Sequence, residues 1–451
     1  MRRSLISMTS VLLTLVLVVA IAAEEPKGHR RIDLQDGDTL VFCGDSITHQ
    51  CLYSQYVETF FYTRYPERRI RFHNASVGGD RVGDALARFH IDIAPYKPKY
   101  VTILLGMNDG TYQHFNHDVF KTYETGMEKL LDQISGLSAT AIPMTPTMFD
   151  LRAAAMNPRR KARMPQYKYY NGVLAFYGAW LRDRAAERGL GFVDMYGPLN
   201  AITIQQRKKD ANFTLIRDAV HPDAPGQVVM AFAILNDMHV NRRVSSIMAS
   251  QGKNGWKVRG DNSEVSNVVS EERQLAFDFQ AKSLPWVLPP DAALGYELTI
   301  AGHKMSSERL RIATLPTGNY DVKIDGQLVG TWSNLTLAKQ VELQGNEKTP
   351  QYQQALKVAL LNQERNEKAI RPLRNTFRGL RDHYRKGTDK SAPEEFAAFL
   401  EKFKVQVAEL EKLAHEYEDQ IYAAAQPRQH HYEIRLAEEK ACGIKVLMPL
   451  L

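Results

Sequence analysis

The sequence predicts an α/β domain built on parallel strands, followed by a β-rich domain that carries a long helical hairpin. Three patterns predict it. From Arg31 to Val240 short apolar runs alternate with helical periodicity, the rhythm of strands covered on both faces by helices. From about residue 266 the period falls to two, as in half-buried strands. Beyond residue 346 apolar side chains recur at alternating four- and three-residue steps, the spacing of a helix seam.

In chain order, the first domain (32–240) has candidate strands at Thr39–Cys43, Arg71–Val77, Tyr100–Leu105, Ala139–Thr145 and Gly191–Met195. Helical patterns at Gln55–Tyr65, Val82–Ile93, Val119–Ile134, Tyr167–Arg188 and Gln227–Leu235 fall between and after them. Residues 241–265 are polar and contain Gly, Asn and Ser, which predicts a linker. In the β-rich domain (266–345), Tyr320, Val322 and Ile324 alternate and Asp325-Gly326 reads as a two-residue hairpin turn into Leu328–Trp332. In the helical hairpin (346–425), Ser391-Ala392-Pro393-Glu394 opens a helix whose seam is Phe396, Leu400, Phe403, Val407, Leu410, Ala414, Tyr417 and Ile421. Its expected partner is Pro350–Ile370, or the continuation past Pro372 to Tyr384, folded back within the chain; a second chain is the alternative. The final stretch, 430–451, begins with an alternation at His431–Leu436 that can rejoin the β domain as a strand.

The chain has 451 residues, 44% hydrophobic and 24% charged, which excludes wholesale disorder and a polytopic membrane protein. Its formal net charge of +7 comes with no arginine-rich block or zinc-finger spacing, so nucleic acid is not an expected partner. Arg2, Arg3 and an apolar run from Val11 to Ala23, ending in Ala20-Ile21-Ala22, predict an export signal over 1–22. That run is too short for the ~20 residues of a stable membrane span. The mature protein is therefore expected in the periplasm, in the cell envelope or outside the cell. Cys43, Cys51 and Cys442 are too few for a disulfide framework, and the sequence leaves a Cys43–Cys51 pair open.

Four short blocks carry the chemistry, each after a candidate strand, where open parallel sheets gather their functional loops. Gly44-Asp45-Ser46-Ile47-Thr48 puts a hydroxyl at the end of the first strand. Asn74-Ala75-Ser76-Val77-Gly78-Gly79-Asp80 follows the second, with glycines that let a substrate approach a backbone N–H. Gly106-Met107-Asn108-Asp109-Gly110 follows the third and offers a side-chain amide. Asp218-Ala219-Val220-His221-Pro222 offers an imidazole that a carboxylate can orient while its other nitrogen takes a hydroxyl proton. Any one of these is a common turn. All four, in one order on one sheet edge, point to nucleophilic catalysis.

These blocks resemble those of the SGNH, or GDSL-type, hydrolases, over roughly residues 32–240. The resemblance implies a flavodoxin-like three-layer α/β/α domain and serine-ester hydrolysis. It assigns Ser46 as nucleophile, His221 as general base and then acid, and Asp218 as the group orienting the ring. It makes the oxyanion hole from the Ser46 N–H, the Gly79 N–H and the Asn108 amide. No cofactor and no metal is implied. His49, just after the nucleophile block, reads first as a first-turn helix residue, with pocket lining as the alternative, and His114/His117 and His430/His431 lack a converging ligand set.

Exported enzymes of this architecture are similar to carbohydrate O-acetyl esterases, so a small ester or acetylated polysaccharide is the first expected substrate. A lysophospholipase- or thioesterase-like acylhydrolase is the second reading. A non-enzymatic envelope scaffold with an inert hydrolase fold is the third. Oligomeric state is not readable from the sequence.

Overall fold

The computed structural model describes residues 29–271 and 274–438. The expected export signal, Cys442 and the end of the 430–451 stretch lie outside the described residues.

Four parallel strands, β1 (Thr39–Gly44), β2 (Arg71–Ser76), β3 (Tyr100–Leu104) and β4 (Thr140–Pro143), form one sheet in the order β2-β1-β3-β4. All six residues of β1 are buried, as a central strand covered on both faces requires. The predicted strand at Gly191–Met195 is reduced to a single parallel bridge, Met144 with Val193. Gly191 N–H donates to Ala141 O and Val193 N–H to Pro143 O. Pro143 has no N–H to return to the edge segment, which cuts the ladder short.

The helices covering this sheet are α1 (Leu52–Arg64), α2 (Val82–Asp92), α3 (His117–Gly136), α4 (Tyr170–Arg188) and α5 (Ala224–Asp237). Together they make the three-layer α/β/α architecture. Helix α1 is buried from Tyr53 to Arg64, including Gln55, Glu58 and Thr59. Its polar groups are satisfied from far along the chain: Asn362 Nδ2 donates to Gln55 O at 3.0 Å, and Asn366 Nδ2 to Glu58 Oε2 at 3.0 Å.

Residues 241–265 are not a linker. They form β5 (Arg243–Gly252), β6 (Gly255–Asp261) and the start of β7 (Ser263–Glu271), with β5 and β6 joined in a hairpin at Lys253-Asn254. Only Val244, Ser245, Ile247 and Ala249 of β5 point inward, so the exposed polar face dominates the composition. The remaining strands are β8 (Gln274–Ala281), β9 (Ser307–Ile312), β10 (Asn319–Ile324), β11 (Gln327–Ser333), β12 (Val341–Glu342) and β13 (His430–Leu436). They complete two sheets, β11-β10-β13-β8-β7 and β12-β9-β5-β6, that share a core including Leu275, Phe277, Leu310, Val322 and Tyr432. The turn between β10 and β11 is Asp325-Gly326, both at positive φ (49° and 80°), which suits a tight two-residue connection. Within the span expected as β-rich, Trp286, Leu288, Ala292 and Met305 instead join the hydrolase-side core, with Trp286 Nε1 donating to Tyr56 O at 3.0 Å.

The hairpin closes within the chain. Helix α6 (Pro350–Arg365) continues through a π-helical turn, Asn366–Ile370, into α7 (Arg371–Lys386), and both pack along α8 (Pro393–Ala425). The widened turn lies just before Pro372, which cannot give an N–H to the helix ladder. Leu373, Phe377 and Leu380 of α7 bury against Phe403 of α8 and Val77 of the second block. The hairpin is thereby docked on the edge of the sheet where the four blocks lie.

Candidate active site

Gly44 ends β1 where a side chain has no room: a Cβ there would lie 2.2 Å from Thr48 Oγ1 and 3.0 Å from Leu104 O. The strand then turns directly into the four-residue helix Ser46–His49, whose Ile47 N–H is capped by Asp45 Oδ1 at 2.9 Å. Burial pushes the Asp45 carboxyl up to about 7, against the opposing pull of the Ile47 N–H and His221.

Ser46 Oγ lies 2.7 Å from His221 Nε2, and His221 Nδ1 lies 2.6 Å from Asp218 Oδ2. The other oxygen, Asp218 Oδ1, accepts from the N–H groups of Val220 and His221 at 2.9 and 2.7 Å. Burial raises the Asp218 carboxyl, but the His221 ring and these two N–H groups outweigh it and hold it well below the usual carboxylate range. A fixed carboxylate keeps the proton on Nδ1 and leaves the Nε2 lone pair for the serine hydroxyl. The turn that makes this possible sets Ala219 at φ +76°, unusual for a residue with a Cβ. The buried Gln227 fastens the loop: its Oε1 accepts from Tyr53 N–H at 3.2 Å, and its Nε2 donates to Gln50 Oε1 at 2.8 Å and Pro222 O at 3.3 Å.

The expected oxyanion donors are arranged less simply. Gly79 takes φ +82°, a conformation that favours glycine, and its N–H has no acceptor among the described residues. Asn108 Nδ2 donates to Asp80 O at 3.0 Å and to Asp45 Oδ2 at 3.3 Å, and its Oδ1 accepts from the Tyr112 hydroxyl at 3.0 Å. Its amide protons are therefore both engaged, the longer bond being the one to Asp45. Ser46 and His221 open on a pocket of about 490 Å³, whereas Gly79 and Asn108 line a neighbouring one of about 740 Å³. Asp109 ties the third block to the second, accepting from Val82 N–H at 2.9 Å and Gly106 N–H at 3.0 Å.

Other residues complete the site, the arginines among them unrecognised in the sequence. His49 ends the helix Ser46–His49, is buried and also lines the pocket, so both of its sequence readings hold. Its Nδ1 accepts from Gly78 N–H, and its Nε2 lies by Asn375 Oδ1, each at 3.2 Å. Burial, then the Arg374 and Arg378 cations, lower its pKa to about 4, so the ring that holds Gly78 is neutral. Helix α7 supplies three arginines to the second block. Arg374 donates to Asn74 O and pairs with Asp92 at 2.9 Å. Arg381 Nη1 donates to Gly78 O at 2.8 Å and pairs with Asp80 at 3.1 Å. Arg385 donates to Gly79 O at 2.8 Å and to Asp84 at 2.7 Å. Cys43 and Cys51 are buried free thiols and do not bridge each other.

Away from the site, His114 Nε2 lies 3.1 Å from Pro165 O, and His430 and His431 pair with Asp325 and Asp278 at 2.7 Å. No helix among the described residues is long and apolar enough to cross a membrane.

Residues 42–229 match the GDSL-like Lipase/Acylhydrolase family. An acetylxylan esterase from Geobacillus stearothermophilus is 29% identical over 224 residues, covering 45% of this chain and 94% of the esterase. A solved structure of a gut microbial diltiazem-metabolizing enzyme is 25% identical with a TM-score of 0.79, covering 91% of this chain and all of that one. The C-terminal β sheets and helices are thus part of an architecture found outside this chain. The α/β domain belongs to the SGNH, or GDSL-like lipase/acylhydrolase, family, and the protein is an ester-hydrolysing serine hydrolase.

Proposed function

We propose that this protein is an exported carbohydrate O-acetyl esterase working through Ser46, His221 and Asp218. The observation that carries the mechanism is the 2.7 Å contact between Ser46 Oγ and His221 Nε2, backed by the 2.6 Å contact to Asp218. A neutral hydroxyl is a weak nucleophile, and this base is within reach of its proton. Ser46 Oγ attacks the acyl carbon as its proton passes to Nε2. The oxyanion draws on the Ser46 and Gly79 N–H groups and on the Asn108 amide, which gives up its longer bond to Asp45. Each aligned donor contributes about 3–4 kcal/mol to the transition state. The C–O bond to the alcohol then breaks, and His221 protonates the departing oxygen. Water, deprotonated by His221, attacks the acyl-serine, and Ser46 leaves with the proton restored.

A short acyl group fits the pocket. Its side chains are largely polar: His49, Gln50, Arg371, Asn375 and Arg378 surround the serine, and Leu52 is the one aliphatic among them. An acyl chain of ten carbons needs an apolar channel to recover its burial energy, about 0.8 kcal/mol per CH₂. The acetylxylan esterase likeness supports a sugar as the alcohol part. Export rests on Arg2, Arg3 and the apolar run that follows.

The test compares p-nitrophenyl acetate with the decanoate and measures acetate release from acetylated xylo-oligosaccharides. The acetate ester should be the faster, and Ser46→Ala should abolish hydrolysis while the melting temperature stays unchanged. A rate that rises with acyl length would remove the acetyl reading. Undiminished turnover in Ser46→Ala would remove the mechanism.

A further inference from the structure

Helix α7 carries five arginines, and three of them are spent on the second block. Arg374 is taken by Asp92, Arg381 by Asp80 and Arg385 by Asp84. The other two, Arg371 and Arg378, line the pocket that holds Ser46 and His221. They are one i, i+7 step apart with Asn375 at i+4, so one face of α7 looks into the site. Arg371 Nη2 donates only to Gln50 O, at 2.9 Å, and Arg378 has no hydrogen-bond or carboxylate partner among the described residues. Among the described residues, no Asp or Glu lines this pocket.

We propose that Arg371 and Arg378 form an anion-binding subsite beside Ser46, and that the ester hydrolysed carries a carboxylate on its alcohol part, as an O-acetylated uronic acid residue does. The inference rests on the O-acetyl reading in one respect: an acetyl group is uncharged, so the anion belongs to the alcohol. The subsite lies close to the reacting centre. Arg378 Nη2 and Ser46 Cβ are 3.3 and 3.7 Å from one point, the place a Cβ on Gly78 would occupy. A sugar whose ring ester sits on Ser46 therefore reaches the guanidinium with a group carried on the same ring. Guanidinium and carboxylate match as planar two-point partners, and such charge-assisted bonds are the strong ones. Two cations held at a pocket wall without a counterion discriminate strongly against a neutral analogue, because only the charged substrate relieves them.

The experiment compares kcat/KM within matched pairs: an O-acetylated methyl glucuronoside against the corresponding glucoside, and para-acetoxybenzoate against para-acetoxybenzamide. In the wild type at low ionic strength the charged member should lead by about tenfold or more. The lead should shrink as salt is added. It should fall to about one in the double variant Arg371→Met/Arg378→Met and reverse in Arg378→Glu. A ratio taken within one variant is insensitive to how much of it is folded, and the wild-type ratio alone already decides. No preference for the anion in either pair, or a preference that survives the double substitution, overturns the subsite. Cleavage of both sugars without charge preference removes the subsite and leaves the carbohydrate reading standing. Preference for para-acetoxybenzoate with neither sugar cleaved does the reverse.

Discussion

Replacing Arg381 by Met tests whether the C-terminal hairpin serves the chemistry or merely covers the sheet. The Arg381 guanidinium donates at 2.8 Å to Gly78 O and pairs at 3.1 Å with the fully buried Asp80. The Gly78 carbonyl belongs to the same planar peptide as the Gly79 N–H, so whatever fixes one fixes the other. Hydrogen bonding to the carbonyl also polarises the peptide and strengthens the N–H as a donor. In the variant the peptide loses a charge-assisted bond, while Asp80 keeps Arg88 at 2.7 Å. Since Asp80 is not left without a cation, the stability cost should be about 2–3 kcal/mol, below that of a wholly orphaned buried charge. Losing an oxyanion donor outright costs about a hundred- to a thousandfold in kcat, and a donor still present but loosened should cost about ten- to a hundredfold. With p-nitrophenyl acetate, kcat should fall while KM changes little, because the bond matters once negative charge develops. Arg381→Lys, which keeps the charge for Asp80 but not the fork, should fall between. If the melting temperature drops while kcat stays within about twofold of the wild type, Arg381 is only a structural clamp and the reasoning fails.

Two further outcomes follow from the same geometry. Asp218→Asn should lower kcat by about a thousandfold or more with KM little changed, because an amide does not hold the Nδ1 proton and ring orientation as the carboxylate does; steady-state rates that fall less than tenfold would show that His221 needs no such partner. His49 should shape stability below neutrality. Its folded pKa of about 4 lies below the ordinary value of 6.5, so between those values the unfolded chain binds a proton that the folded one refuses. Stability from this source is intact above pH 6.5 and is lost as the pH falls toward 4. Thermal melts of His49→Gln should therefore show a shallower decline over that interval than the wild type, and parallel declines would exclude His49 as the cause.

What the sequence made legible was set by the range of the forces concerned. Strands β1 and β3 declare themselves because each is a short, largely apolar run wholly inside the sheet, and the placement of loops at their carboxyl ends follows from parallel topology alone. That is enough to bring Ser46 and His221, 175 residues apart, to one place. The misreadings arise where a local pattern carries no sign of its surroundings. Pro143 truncates a ladder that apolar content alone would extend. In β5 to β7 the outward faces are polar, so the composition resembles that of a linker although Val244, Ile247 and Ala249 are buried.

The hairpin is the most instructive case. Read alone, the arginines of α7 form the solvated face of an amphipathic helix, and the apolar seam toward α8 explains the rest of its pattern. Nothing local distinguishes Arg374, buried on Asp92, from Arg378, open to the pocket four residues on. The distinction is made by Asp80, Asp84 and Asp92, which lie at the start and along α2, roughly three hundred positions earlier in the chain. A carboxylate series and a guanidinium series with compatible helical spacing match only once the two helices are laid side by side. The acidic residues select which arginines become structural, and the arginines they leave over are the ones that face the substrate.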